Sequence, residues 1–268
     1  MRHLAPYQSG LWLAEYGDIR CQLCRIYRSM PQSQFLKNHP SANPPNNYSF
    51  FTKLLQQVNN RFNSGLLCSD CHNSIAWLPK LFEVDIAAGT SLSIQAATYY
   101  DYPIRQAIRA FKHHEDMTKL PLLIHILRQL PRPQGCHRDN SVIVAMPTTN
   151  QRLTKRGFEP VSILAAQLSK HWQIPLWRGV RRIDHTVSQQ GLTRAERLSN
   201  LNNAFVLTET PPVKRLLLFD DVATTGASLQ ALGRALYKPA TNTASASSLP
   251  TNRYHLSAYA LAHGSQYR

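Results

Sequence analysis

The apolar and polar positions divide the chain into alternating strand and helix segments. Residues 93–100, SIQAATYY, are rich in β-branched and aromatic side chains and predict a strand. Past Asp101-Tyr102-Pro103, Ile104, Ala107, Ile108 and Phe111 recur at i, i+3, i+4 and i+7, the spacing of one helix face. A second helix is expected over 120–130. Residues 141–147, SVIVAMP, form another apolar run ended by proline. A helix from about Glu159 turns Val161, Leu164, Ala165 and Leu168 inward, and 174–180 predict a short strand. Residues 216–219 are four apolar residues with no alternation, which suits a strand covered on both faces in a parallel sheet. Leu229, Leu232 and Leu236 then mark a helix, and 254–262 a closing strand.

The stretch from 216 to 228, LLLFDDVATTGAS, concentrates the chemistry. Asp220 and Asp221 are expected where the strand ends, at the carboxyl edge of the sheet, where open α/β folds place ligands. Thr224, Thr225, Gly226, Ala227 and Ser228 supply hydroxyls, backbone N–H groups and one residue free in φ. A helix opening there has unpaired N–H groups and a positive dipole end, which together favour an anion. The stretch reads as carboxylates for sugar hydroxyls beside a phosphate cradle. It has neither the Gly-Lys-Ser/Thr of a P-loop nor a G-x-G-x-x-G.

A second basic loop follows the strand at 141–147. Thr148 and Thr149 precede Arg152, Lys155, Arg156, Gly157 and Phe158, a placement that suits a pyrophosphate. Residues 181–200 are polar and charged, and a mobile lid is expected there. Residues 239–252, PATNTASASSLPTN, are low in complexity and expected to be flexible.

At 268 residues and 43% hydrophobic, the chain can hold one full α/β domain and something smaller. No apolar run approaches the roughly 18 residues of a membrane span. The first residues, broken by Glu15 and Asp18, do not read as a signal peptide, so a cytoplasmic protein is expected. The net charge of +15 favours a polyanionic partner, with nucleic acid the first candidate.

Of five cysteines, four form two CxxC pairs, Cys21/Cys24 and Cys68/Cys71. Four thiolates complete a tetrahedral Zn²⁺ shell, closed and therefore structural. The pairs lie further apart than the usual roughly 15–20 residues. A Pro-, Asn-, Ser- and Gln-rich stretch, about 30–63, accounts for that gap as an insertion, with one short amphipathic helix expected around Phe50 to Val58. Arg20, Arg25, Tyr27, Arg28 and Arg61 surround the pairs, so the lobe suits either a nucleic-acid contact or a fold-stabilising clip. Residues 1–90 are accordingly expected to form a zinc lobe and 91–268 the α/β domain. Cys136 is left without a role.

The stretch at 216–228 resembles the 5-phosphoribosyl-1-pyrophosphate (PRPP) motif of type I phosphoribosyltransferases. That resemblance implies that Asp220 and Asp221 hold the ribose 2′ and 3′ hydroxyls and act at the catalytic centre. It further implies that residues Ala223, Thr224, Thr225, Gly226, Ala227 and Ser228 wrap the 5-phosphate, with Mg²⁺ on the pyrophosphate. The paired CxxC motifs, YDYPIRQAIRAFK, RLTKRGF, RRIDHTVSQQGLTRAERLSNLNNAF and the PRPP motif, in that order, resemble the ComF family of natural competence. One departure is Glu159-Pro160 after Gly157-Phe158, where the family reads Asn-Gln. The resemblance implies a type I phosphoribosyltransferase fold, PRPP binding, and handling of single-stranded DNA at the cytoplasmic face with helicase-type partners. Two other functions remain open: a metabolic phosphoribosyltransferase acting on a nucleobase, and a non-catalytic PRPP-sensing adaptor.

Overall fold

A computed structural model describes residues 10, 11, 14, 20–26, 66–183, 204–237 and 254–264. The insertion expected at 30–63 with its short helix, the lid beyond residue 183 and the stretch at 239–252 lie outside these residues. Two compact units are present, Met1–Trp77 with Asp101–Pro131, and Leu78–Tyr100 with Arg132–Arg268.

In the first unit, α1 (Ser69–Asn73) is capped by Cys68, whose Sγ accepts the Cys71 N–H. Helix α2 (Ile104–His114) buries Ile104, Ala107, Ile108 and Phe111, the face its spacing predicts, and stops at Glu115 in the left-handed region. A 3₁₀ turn (Met117–Lys119) follows, capped by the Asp116 carboxylate, which also meets Lys119 at 3.6 Å. Helix α3 (Leu120–Leu127) is buried on all sides, as an all-apolar helix must be. It is shorter than the expected 120–130. Residues 129 and 130 close i→i−3 bonds to Ile126 and Leu127, and Pro131 bars its predecessor from the helical region.

His125 of α3 lies fully buried against His72 and Trp77, with ring centroids 5.7 and 6.2 Å away. Burial first, and the neighbouring His72 and Arg128 second, push His125 down to about 3 from an ordinary 6.5. The unfolded chain therefore takes up this proton more readily than the folded one. The stability contributed by the neutral ring is complete above pH 6.5 and is lost as pH falls towards 3. The expected slope is at most about 1.4 kcal/mol per pH unit. Denaturant unfolding at pH 7.5 and 4.5 measures it, and His125→Leu is expected to flatten the difference. An equal acid loss in both proteins would refute the assignment.

The second unit is an α/β fold around a five-stranded sheet of order β1-β2-β7-β6-β3. Strand β1 (Phe82–Ala87) runs antiparallel to β2 (Thr90–Tyr99), and the other neighbours are parallel. The sequence reading missed β1, although Phe82, Val84 and Ile86 alternate with Glu83 and Asp85 before a turn at Gly89. Strand β3 is Ser141–Ala145. The loop expected after it begins instead as helix α4 (Asn150–Arg156). Thr149 caps it by accepting the Arg152 N–H, and Gly157 ends it at φ 72°. Helix α5 (Pro160–Trp172) then places Pro160 at its first turn, which gives the Glu159-Pro160 departure a local cause.

The strand expected at 174–180 is reduced to one parallel bridge, Ile143 to Leu176. Pro175 has no N–H to donate, and Gly179 lies beneath the Trp177 ring. Beyond it, β4 (Val180–Arg182) pairs with β5 (Phe205–Leu207) as a separate small sheet. Strand β6 (Arg215–Ala223), helix α6 (Ala227–Tyr237) and β7 (His255–His263) complete the fold.

Helices cover both sheet faces. Ala258 and Ala260 of β7 join the core under Leu229, Leu232 and Leu236 of α6. Tyr259, between them in sequence, meets Trp172 of α5 edge-on at 4.9 Å. Strand alternation therefore sends successive residues to opposite helices.

Candidate functional site

Strand β6 outlasts one of its neighbours. Its pairing with β3 ends at Ala145 opposite Phe219, where the Met146 N–H donates to the Phe219 carbonyl at 2.8 Å. Its pairing with β7 continues to Ala223 opposite His263. At the carboxyl end of the sheet β3 thus departs while β6 runs on, and carboxyl strand ends are where open α/β sheets take ligands.

Asp220 and Asp221 stand in this overhang, within the strand and not after its end, which corrects the expected boundary. They are 8% and 3% exposed. Leu216 and Leu218 face α6, so alternation puts Asp220 on that side and Asp221 on the other. The Asp220 carboxylate accepts the Asp221 N–H at 2.8 Å, which fixes its rotamer.

Asp220 and residues 222–229 line one concavity of about 60 Å³. That is room for on the order of four waters, the scale of a phosphate group and not of a whole sugar phosphate. Thr224 and Thr225 are exposed at its rim, while Gly226 is buried with φ +74°. The first bond of α6 runs from the Gln230 N–H to the Gly226 carbonyl, so the preceding N–H groups have no acceptor within the helix. Hydroxyls, unpaired amides and a positive dipole end converge there, an arrangement suited to an anion.

Asp221 is not among the lining residues, nor are Arg152 and Arg156, which belong to α4. Of Lys155 only the backbone is described. One neighbour escaped the sequence reading. His263 Nδ1 lies 2.9 Å from the Ala223 carbonyl, and its ring packs on Phe82 at 4.4 Å. A lone histidine near the end of a strand carries no pattern that marks it in advance. A larger cavity, about 200 Å³, lies along the outer side of β3 against Trp177, Arg178, Glu159 and Ser162. It shares no lining residue with the first.

In the first unit, Cys21, Cys24, Cys68 and Cys71 come together with all four Sγ atoms within 4.8 Å of one another. Cys24 and Cys68 Sγ are 3.7 Å apart. Bonds of ~2.3 Å to a tetrahedral ion place thiolates about 3.8 Å apart, so the donor set fits Zn²⁺. Burial would raise the Cys21 thiol, but the backbone N–H groups of Cys24, Cys68 and Leu23 outweigh it and bring it down to about 7. Burial and the other three sulfurs push Cys71 up. One thiolate therefore forms readily and opposes the next, a conflict that a bound dication removes. A closed four-sulfur shell has no position for water, so such an ion is structural.

The competence protein F of Haemophilus influenzae is 33% identical over 148 residues, 52% of this chain and 64% of that protein. The chain is thus similar to a competence protein over about half of its length. The DNA utilization proteins YhgH of Salmonella typhi and Escherichia coli K12 are 31% and 32% identical over 98 residues, 36% of this chain and 43% of each. The chain thus spans less than two thirds of the length of these curated relatives. No family model matches it. No helix of the described residues is long and apolar enough to cross a membrane.

Proposed function

We propose that this chain serves competence and DNA uptake, with its larger unit acting as a type I phosphoribosyltransferase-like domain that binds PRPP. It contacts single-stranded DNA at the cytoplasmic side, alongside DNA-processing partners such as a helicase. The N-terminal cysteine lobe holds one structural Zn²⁺. What carries the PRPP reading is the phosphate-sized concavity of Asp220 and residues 222–229 at the end of β6.

In this reading the backbone from Ala223 to Ser228 and the Thr224 and Thr225 hydroxyls hold the 5-phosphate. Asp220, which lines the concavity, takes a ribose hydroxyl, and Asp221, which strand alternation turns to the other side, is assigned the second hydroxyl on the motif's resemblance alone. Arg152, Lys155 and Arg156 approach the pyrophosphate, whose charge Mg²⁺ shares when bound. The competence reading is supported by what the relatives are called, competence protein F and DNA utilization protein.

Calorimetric titration of the full chain with PRPP and Mg²⁺ tests the ligand. Binding is expected for the wild type, with at least tenfold weaker binding for Asp220→Ala, the loss of about 1.4 kcal/mol or more in a charge-assisted contact. No heat from PRPP, or equal affinity in the variant, would sink it. Pyrophosphate release across a panel of nucleobases separates transfer from binding alone. Release with one base would favour the metabolic reading.

A further inference from the structure

We propose that the exposed side of α2, led by Tyr102, is where this protein grips single-stranded DNA. The inference rests on the DNA-handling reading above and names its surface. Tyr102 stands in the turn before α2 with 73% of its surface exposed, the one aromatic among the exposed large apolar side chains of the described residues. An exposed phenol ring offers a face on which a base can stack, and such stacking tolerates any base.

The helix behind it has one buried stripe and one basic stripe. Ile104, Ala107, Ile108 and Phe111 are buried, and Arg105, Arg109 and His113 are exposed at successive i+4 steps, with Lys112 half-buried on the same side. IRQAIRAFKHH contains no acid. Neither Arg105 nor Arg109 makes an ion pair with an acid among the described residues. Of the flanking acids, Asp116 is already engaged by Thr118 and Lys119, while Glu115 is exposed at the C-cap beyond His114 and Asp101 is exposed at the other end.

The helical rise sets Arg109 about 6 Å along the axis from Arg105, and Lys112 about 4.5 Å further. Such a row tracks two or three consecutive phosphates of an extended strand while Tyr102 takes a base at its end. A base buried in a duplex cannot reach that ring, so a single strand fits this surface and a duplex does not. The buried stripe also anchors α2, which keeps the cations in register before the strand arrives.

The test uses the full chain and a fluorescent oligothymidylate of about 20 nucleotides, followed by anisotropy over a range of salt. Tyr102→Ala is expected to weaken binding about tenfold at every salt concentration, with Tyr102→Phe close to wild type. The double variant Arg105→Ala/Arg109→Ala is expected to weaken it and to lower the slope of log affinity against log salt by about 1.4, at about 0.7 per phosphate. Arg138→Ala, an exposed arginine of the other unit, serves as the charge control and is expected to bind as the wild type does. If the wild type binds with strong salt dependence while the Tyr102 and arginine variants match it, the surface is wrong and the DNA reading stands. If the wild type binds no single strand, both fall. A duplex bound as tightly as the single strand, with Tyr102→Ala silent, overturns the stacking.

Discussion

Cys68→Ser is expected to abolish stoichiometric zinc and, with it, the fold of the cysteine lobe. Cys68 does two jobs at once. Its sulfur sits 3.7 Å from that of Cys24, and the same sulfur caps α1 by accepting the Cys71 N–H. Serine preserves the cap but not the soft donor. Structural zinc in small cysteine lobes contributes apparent binding free energies of about 10–16 kcal/mol at neutral pH, more than a lobe of this kind holds in reserve. The measurements are metal content of the purified chain and near-ultraviolet circular dichroism. Trp77 reports the change locally, because its indole N–H donates to the His72 carbonyl next to Cys71. Protons compete with the ion for the thiolates, so affinity falls as pH is lowered, and Cys71, raised by burial and its neighbours, resists ionisation most. A chain that purifies without zinc and melts like its Cys68→Ser variant would remove the metal from the account.

Gly226→Ala is expected to cost about 2–4 kcal/mol and to distort the concavity proposed to hold a phosphate as well. Two penalties add. The backbone at φ +74° is unfavourable for any residue with a Cβ, by roughly 1 kcal/mol. The new Cβ would also lie 2.7 Å from Ile94 Cδ1 and 2.9 Å from Val84 Cγ1, both packed in the core between β1, β2 and α6, and such overpacking costs about 1–3 kcal/mol. A fall in Tm of roughly 5–15 °C follows for a unit of this size. Gly89→Ala is the internal control. Its φ is +69°, but nothing lies within 4 Å of a Cβ there, so only the backbone penalty applies. Equal melting of the two variants would show that the contacts at Gly226 yield freely.

Elements with an unbroken apolar spacing were legible from the residues alone. Ile104, Ala107, Ile108 and Phe111 form the buried face of α2, and Leu229, Leu232 and Leu236 that of α6. Boundaries were less so where a tertiary partner decides them. Residues 216–219 announce a buried strand, but two charged residues mark a stopping point only when the chain is read one residue at a time. Strand β7 keeps supplying backbone partners as far as His263, so β6 continues through Asp220 and Asp221. At 174–180 the reverse holds. The residues favour a strand, yet Pro175 and Gly179 leave only one bridge to β3.

The sequence by itself determined the fold class, the buried stripes, the two CxxC pairs and the strand–acid–glycine–helix order around residue 220. These are local properties, carried by the side-chain period and by turn chemistry over a few residues. Only the tertiary structure decided that Cys24 and Cys68, 44 residues apart, bring their sulfurs to 3.7 Å. It alone decided that β3 leaves β6 at Phe219, so that Asp220 lines an opening while Asp221 faces the other side of the sheet. Such pairings depend on which distant segments share hydrogen bonds and core, a sum over the whole chain to which no short stretch of residues holds the answer.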